Sequence, residues 1–123
     1  MTASAMTVQG IFASATVRDF NAALDWYAKL MGRPADDTPI PGMAQWRNMG
    51  AAGLQVWEDP ERAGHGVITI VVPDLAVEHA RLTGLGLVPG DIAHGDFGAV
   101  AQLFDPEGNR ITLAEPPKGF ANA

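Results

Sequence analysis

The chain repeats itself. Phe12-Ala-Ser-Ala-Thr-Val-Arg-Asp19-Phe20 aligns without gaps on Val67-Ile-Thr-Ile-Val-Val-Pro-Asp74-Leu75, an offset of 55 residues. The register continues through Leu30 on Leu85 and Pro34 on Pro89. After a two-residue slip, Ala44-Gln45 falls on Ala101-Gln102, and Leu54-Gln55-Val56 falls on Ile111-Thr112-Leu113. A duplication of this kind demands two similar supersecondary modules, each too small to bury its apolar face alone. They span residues 8–60 and 64–117, within one domain of 123 residues.

Each copy opens with an apolar or β-branched run that ends at an aspartate, placed to accept backbone N–H bonds from the first turn of a helix. After Asp19, the residues Phe20, Ala23, Leu24, Tyr27, Leu30 and Met31 recur at three- and four-residue spacing, and Gly32 is a natural stop. After Asp74, Leu75, His79, Leu82 and Leu85 repeat the pattern more weakly, and Gly84 and Gly86 end it early. Strands are predicted over 44–49 and 53–57 in the first copy, and over 99–104 and 110–115 in the second. Asp105-Pro-Glu-Gly-Asn109 combines the residues of a tight hairpin turn. The Pro-Pro tail, 116–123, has little to pack and is expected to be poorly ordered.

Composition narrows the function. Eight Lys and Arg against 14 Asp and Glu leave a net charge of −6, with the basic residues scattered along the chain. This argues against nucleic acid or an anionic membrane surface as partner. The absence of cysteine excludes disulfides, thiolate nucleophiles and Cys-ligated zinc. Neither a signal peptide nor a membrane span fits the sequence, so a cytoplasmic protein is expected.

The repeated strand–helix–strand–strand–strand unit, the Val-x-Asp entry to each helix, the Trp26-Tyr27 pair and the DPEGN turn before a final apolar strand resemble the vicinal oxygen chelate superfamily. That group contains glyoxalase I, bleomycin-resistance proteins, fosfomycin-resistance enzymes and extradiol dioxygenases. The resemblance covers residues 8–117 and implies an α+β fold, with two βαβββ modules forming curved mixed sheets around a cleft, completed as a homodimer. It also implies four inward-facing metal ligands in the metal-dependent members. Counting seven residues back from each capping aspartate puts Phe12 and Val67 at two of these positions; Gln55 and Thr112 fall at the other two. One amide and one hydroxyl cannot supply the donors of a divalent site, so no metal and no cofactor are expected. His65, two residues before Val67, would restore a ligand on the same face after a register slip.

If those four positions face inward, strand alternation turns Ser14, Thr16, Trp57, Thr69, Val71, Arg110 and Ala114 inward as well. Ala13, Ala15, Val17, Leu54, Val56, Ile68, Ile70, Val72, Ile111 and Leu113 then face the helices. The second set is uniformly apolar; the first mixes aromatic, hydroxyl and amide groups, as small-molecule pockets do. The expected ligand contacts are Phe12, Ser14, Thr16, Trp46, Gln55, Trp57, Val67, Thr69, His94, Arg110 and Thr112. His94 is paired with Asp96 in a loop at the cleft mouth, and Arg110 is a candidate for an anionic ligand or a surface ion pair. His79 reads as a hydrogen-bonded helix residue. Asp36, Asp37, Glu58, Asp59, Asp105 and Glu107 read as solvated turn residues.

No inward residue is an evident general acid or base. The expectation is therefore a metal-independent binding protein that sequesters an apolar, aromatic or cationic small molecule in the cleft of a homodimer. The alternatives are a glyoxalase-like lyase or isomerase, using a divalent metal or acid–base chemistry around His94 and Glu58, and a dimeric interaction domain without a ligand.

Overall fold

Both predicted capping aspartates begin helices. The computed structural model describes residues 5, 6 and 8–118. In it, Asp19 accepts from the Ala22 N–H at 3.1 Å and opens α1 (Phe20–Met31), while Asp74 accepts from the Val77 N–H at 3.2 Å and opens α2 (Leu75–Gly84). Gly32 closes α1 in the left-handed region, at φ 78°, its N–H returning to the Ala28 carbonyl.

The strands are β1 (Ile11–Val17), β2 (Asp37–Ile40), β3 (Met43–Met49) and β4 (Ala52–Glu58) in the first module, and β5 (Val67–Val71), β6 (Ala93–Gly95), β7 (Gly98–Phe104) and β8 (Arg110–Glu115) in the second. Each module is thus βαβββ, and each makes one four-stranded mixed sheet, ordered β1-β4-β3-β2 and β5-β8-β7-β6. In both sheets the module's first strand runs parallel to its last. The two short edge strands correct the sequence reading: Asp37 lies in β2 rather than in a solvated turn, and the segment around His94 is a strand rather than a loop.

Strand alternation sorts the side chains as the duplicated pattern requires. Ala15, Val17, Leu54, Val56, Ile68, Ile111 and Leu113 are buried beneath the helices, whereas Ser14, Thr69 and Arg110 on the opposite face are exposed. Both helices cover the same side. Arg81 of α2 donates to the Lys29 and Leu30 carbonyls at the end of α1, at 2.8 and 2.6 Å, satisfying groups the helix leaves unpaired. One core results, with Tyr27, Trp46, Leu75, Leu82 and Ile111 at or below 1% exposure, each large apolar side chain stabilising by roughly 1.5–3 kcal/mol.

The DPEGN turn does more than reverse the chain. It closes the β7–β8 hairpin, with the Asp105 N–H on the Asn109 carbonyl at 2.9 Å, and it also fastens the second module to the first. Asn109, fully buried, donates to the Thr16 carbonyl at 2.9 Å and accepts from the Gly66 N–H at 2.6 Å. The Glu107 carboxylate accepts from the backbone N–H groups of Arg18 and Asp19, ahead of α1, where a negative charge also suits the helix dipole. Asp105 is 4% exposed and accepts from the Tyr27 hydroxyl at 2.8 Å. Neither Asp105 nor Glu107 is therefore a solvated turn residue. Pro116 and Pro117 also depart from expectation: they are half-buried and lie against Gly98, which has no room for a Cβ. The rest of the predicted tail, 119–123, lies outside the described residues.

Candidate functional site: the open face of the paired sheets

With both helices on one side, the other side of the two sheets is left open, and cross-strand register arranges its side chains in rows. On the first sheet Ser14 stands opposite Gln55, Gln55 opposite Gln45, and Gln45 opposite Asp37. The next row is Thr16, Trp57 and Met43. The second sheet repeats the arrangement with Thr69, Thr112 and Gln102, and beside them Val67, Arg110 and Phe104.

Hydrogen bonds orient the first sheet's polar row. The Trp57 indole N–H donates to Gln55 Oε1 at 3.1 Å, and Gln55 Nε2 donates to Gln45 Oε1 at 3.2 Å. The indole thereby fixes which way each amide points and leaves the Gln45 amide N–H groups available to a ligand. On the second sheet Gln102 Nε2 donates to Thr112 Oγ1 at 3.4 Å, so the Thr112 hydroxyl hydrogen is free to donate. Gln45 and Gln102 were missed by sequence reasoning. Their signal was present, because the duplication aligns them with each other and each lies one residue after a buried alanine.

Two expected contacts belong elsewhere. Trp46 is fully buried; register sets it opposite Leu54, on the helix side, and its indole N–H donates to the Arg33 carbonyl at 2.8 Å. Its large apolar body is a core element packed near Tyr27, with ring centroids 6.4 Å apart. His94 stands opposite Ala99 on β6, which assigns it to the helix side of the sheet edge and away from the open face. Thr16 is on the open face, but its hydroxyl donates to the Arg62 carbonyl at 2.7 Å and so serves the linker between modules. His79 Nε2 lies 2.9 Å from the Gly90 carbonyl, a helix residue tied to a loop.

Phe12 and Thr69 share a groove. Where Ile11–Ala13 and Ile68–Val71 part from one another, a cavity of about 430 Å³ opens, walled also by Met31, Met49 and Leu54. The Phe12 ring covers Gly53, its partner across the ladder, in space that a Cβ there would fill. The volume is of the size that takes small organic ligands, and its wall is mostly apolar.

No family model matches the sequence, and no curated protein matches it. Solved structures do. A glyoxalase/bleomycin resistance protein from Catenulispora acidiphila DSM 44928 is 30% identical, with a TM-score of 0.82, over 90% of this chain and 100% of that one. This chain belongs to the glyoxalase/bleomycin-resistance family, within the vicinal oxygen chelate superfamily. TnmS3, an antibiotic binding protein from Streptomyces sp. CB03234, is 24% identical with a TM-score of 0.75, over 94% of this chain and 99% of that one. A lactoylglutathione lyase from Agrobacterium tumefaciens is 18% identical with a TM-score of 0.72, over 98% and 100%.

The residues at this family's metal positions do not fit a divalent cation. Phe12 and Val67 have no donor atom, the amide of Gln55 is engaged by Trp57 and Gln45, and Thr112 offers a single neutral hydroxyl that already accepts from Gln102. His65 is exposed ahead of β5, and among the described residues no three His, Cys, Asp or Glu side chains converge as a cation would need. Among the described residues, too, no helix is long and apolar enough to cross a membrane.

Proposed function

We propose that this chain is a metal-independent small-molecule binding protein, acting in the cytoplasm, which takes up an apolar, aromatic compound on the open face of its sheets, with a second copy of the chain completing the wall. The observation that carries the reading is the Trp57–Gln55–Gln45 hydrogen-bond chain, which presents a half-buried indole face beside oriented amides. A planar ligand would stack on the indole, while Gln45, Ser14 and Thr112 select its orientation. Phe12, Val67 and Phe104 lie on the same face, at 40, 64 and 59% exposure, and supply the apolar surface that a ligand or a second copy covers. No carboxylate or imidazole stands among these side chains except Asp37 at the outer edge, which pairs with Arg47 at 3.6 Å. Sequestration needs no such group. The antibiotic binding by TnmS3 gives this activity a precedent on the same fold.

Titration with the neutral fluorophore N-phenyl-1-naphthylamine, followed by native mass spectrometry of the complex, tests the reading. Saturable binding to a dimer, weakened about tenfold or more by Trp57→Ala and unchanged by Trp46→Phe, is the expected result. Binding indifferent to Trp57, or no binding at all, would overturn it.

A further inference from the structure

Among the described residues, this face carries one charge without a partner. The chain has six arginines, and five of them are ion-paired: Arg18 with Glu107, Arg33 with Asp36, Arg47 with Asp37, Arg62 with Asp59 and Arg81 with Glu78. Arg110 is exposed, and among the described residues no carboxylate lies within 4.0 Å of its guanidinium and none accepts a hydrogen bond from it.

Its surroundings are apolar and donor-rich. Val67 and Phe104 flank it across the ladder, and Thr112, two residues on and on the same face, has a hydroxyl hydrogen to give. The duplication sharpens the contrast. Position 110 corresponds to Gly53, where the Phe12 ring fills the corner instead. One module therefore carries an aromatic corner and the other a guanidinium. The bond from Asn109 to the Thr16 carbonyl at 2.9 Å holds the start of β8, just before Arg110, against the end of β1, where Thr16 is the ladder partner of Trp57.

We infer that Arg110 and Thr112 bind an anionic oxygen, a carboxylate or sulfonate, on a planar aromatic ligand whose ring lies toward Trp57. This deepens the proposed function and rests on it. A guanidinium presents paired donors matched to such a group. The net charge of −6 acts against anions at a distance, but it is screened beyond about 8 Å at physiological salt, so the local group decides selectivity. A cationic ligand, the class suggested by net charge alone, is disfavoured at this position.

Two probes with one scaffold separate the terms: 1-anilinonaphthalene-8-sulfonate and the neutral N-phenyl-1-naphthylamine. The intact protein should bind the sulfonate about tenfold more tightly than the neutral probe, with the preference falling as salt rises. Arg110→Gln should erase the preference while leaving the neutral probe's affinity unchanged, Arg110→Lys should keep part of it, and Lys29→Gln, on α1, should keep all of it. Equal affinities in the intact protein, or a preference that survives Arg110→Gln, would overturn the inference. If the neutral probe also ignores Trp57→Ala, the cleft reading itself fails; if it responds to Trp57→Ala, only the anion assignment fails.

Discussion

The hydroxyl of Tyr27 donates to Asp105 Oδ2 across 2.8 Å, joining the helix of the first module to the hairpin turn of the second. Both groups are buried, and Asp105 also accepts from the Glu107 and Asn109 backbone N–H groups and from Asn109 Nδ2. Removing one donor leaves a carboxylate that still has partners. Tyr27→Phe should therefore destabilise the fold by about 1–3 kcal/mol without unfolding it, measured by urea denaturation at neutral pH.

The same bond sets an alkaline signature. Burial, and then the neighbouring Asp105 charge, push the Tyr27 phenol well above its ordinary value. A folded-state pKa above the unfolded one means that this contribution is complete below about pH 10 and is lost as pH rises past it, because only the unfolded state releases the proton there. The stability difference between the parent and Tyr27→Phe should shrink between about pH 10 and 11.5. A difference constant over that range would contradict the assignment.

Gly53 is required for space rather than for backbone freedom. A methyl group there would strike the Phe12 ring and stand 2.8 Å from the Trp46 carbonyl. Gly53→Ala should cost about 1–3 kcal/mol in a thermal or urea melt and displace Phe12 from the groove wall. Phe12→Ala made alongside it should recover part of that loss, since the clash with the ring is then gone. Two additive losses would show that the ring is not the obstacle.

Acid should loosen the edge of the first sheet. The Arg47 backbone N–H, donating to Asp36, holds that carboxyl below its usual range, with the Arg33 side chain assisting. A depressed folded-state pKa stabilises the protein above the unfolded value, near 4, and the benefit is lost as pH falls through the folded one. Asp36→Asn should leave a shallower decline in stability below about pH 4 than the parent shows, read from melting temperatures across that range.

Much of this architecture was legible in the chain because its signals are local and occur twice. The capping aspartates, the helix-facing alternation of Ala15, Val17, Ile68, Ile111 and Leu113, and the placement of Gln55, Trp57 and Thr112 on the opposite face all follow from period and repeat. Trp46 was misplaced because its strand carried no family position to anchor parity, and His94 because its three-residue edge strand reads as a loop. Hydrophobicity alone does not tell a core tryptophan from a ligand platform, and only pairing with Leu54 and Ala99 decides the side.

The sequence by itself determined two βαβββ modules, their capped helices and the apolar face each must bury, since capping, periodicity and duplication act over a few residues. The tertiary structure alone decided that Asp105, Glu107 and Asn109 join the modules, and that five arginines are paired while Arg110, on the open face, meets no carboxylate among the described residues. Those outcomes depend on which side chains meet across separations of up to 93 residues, and no local pattern encodes such a meeting.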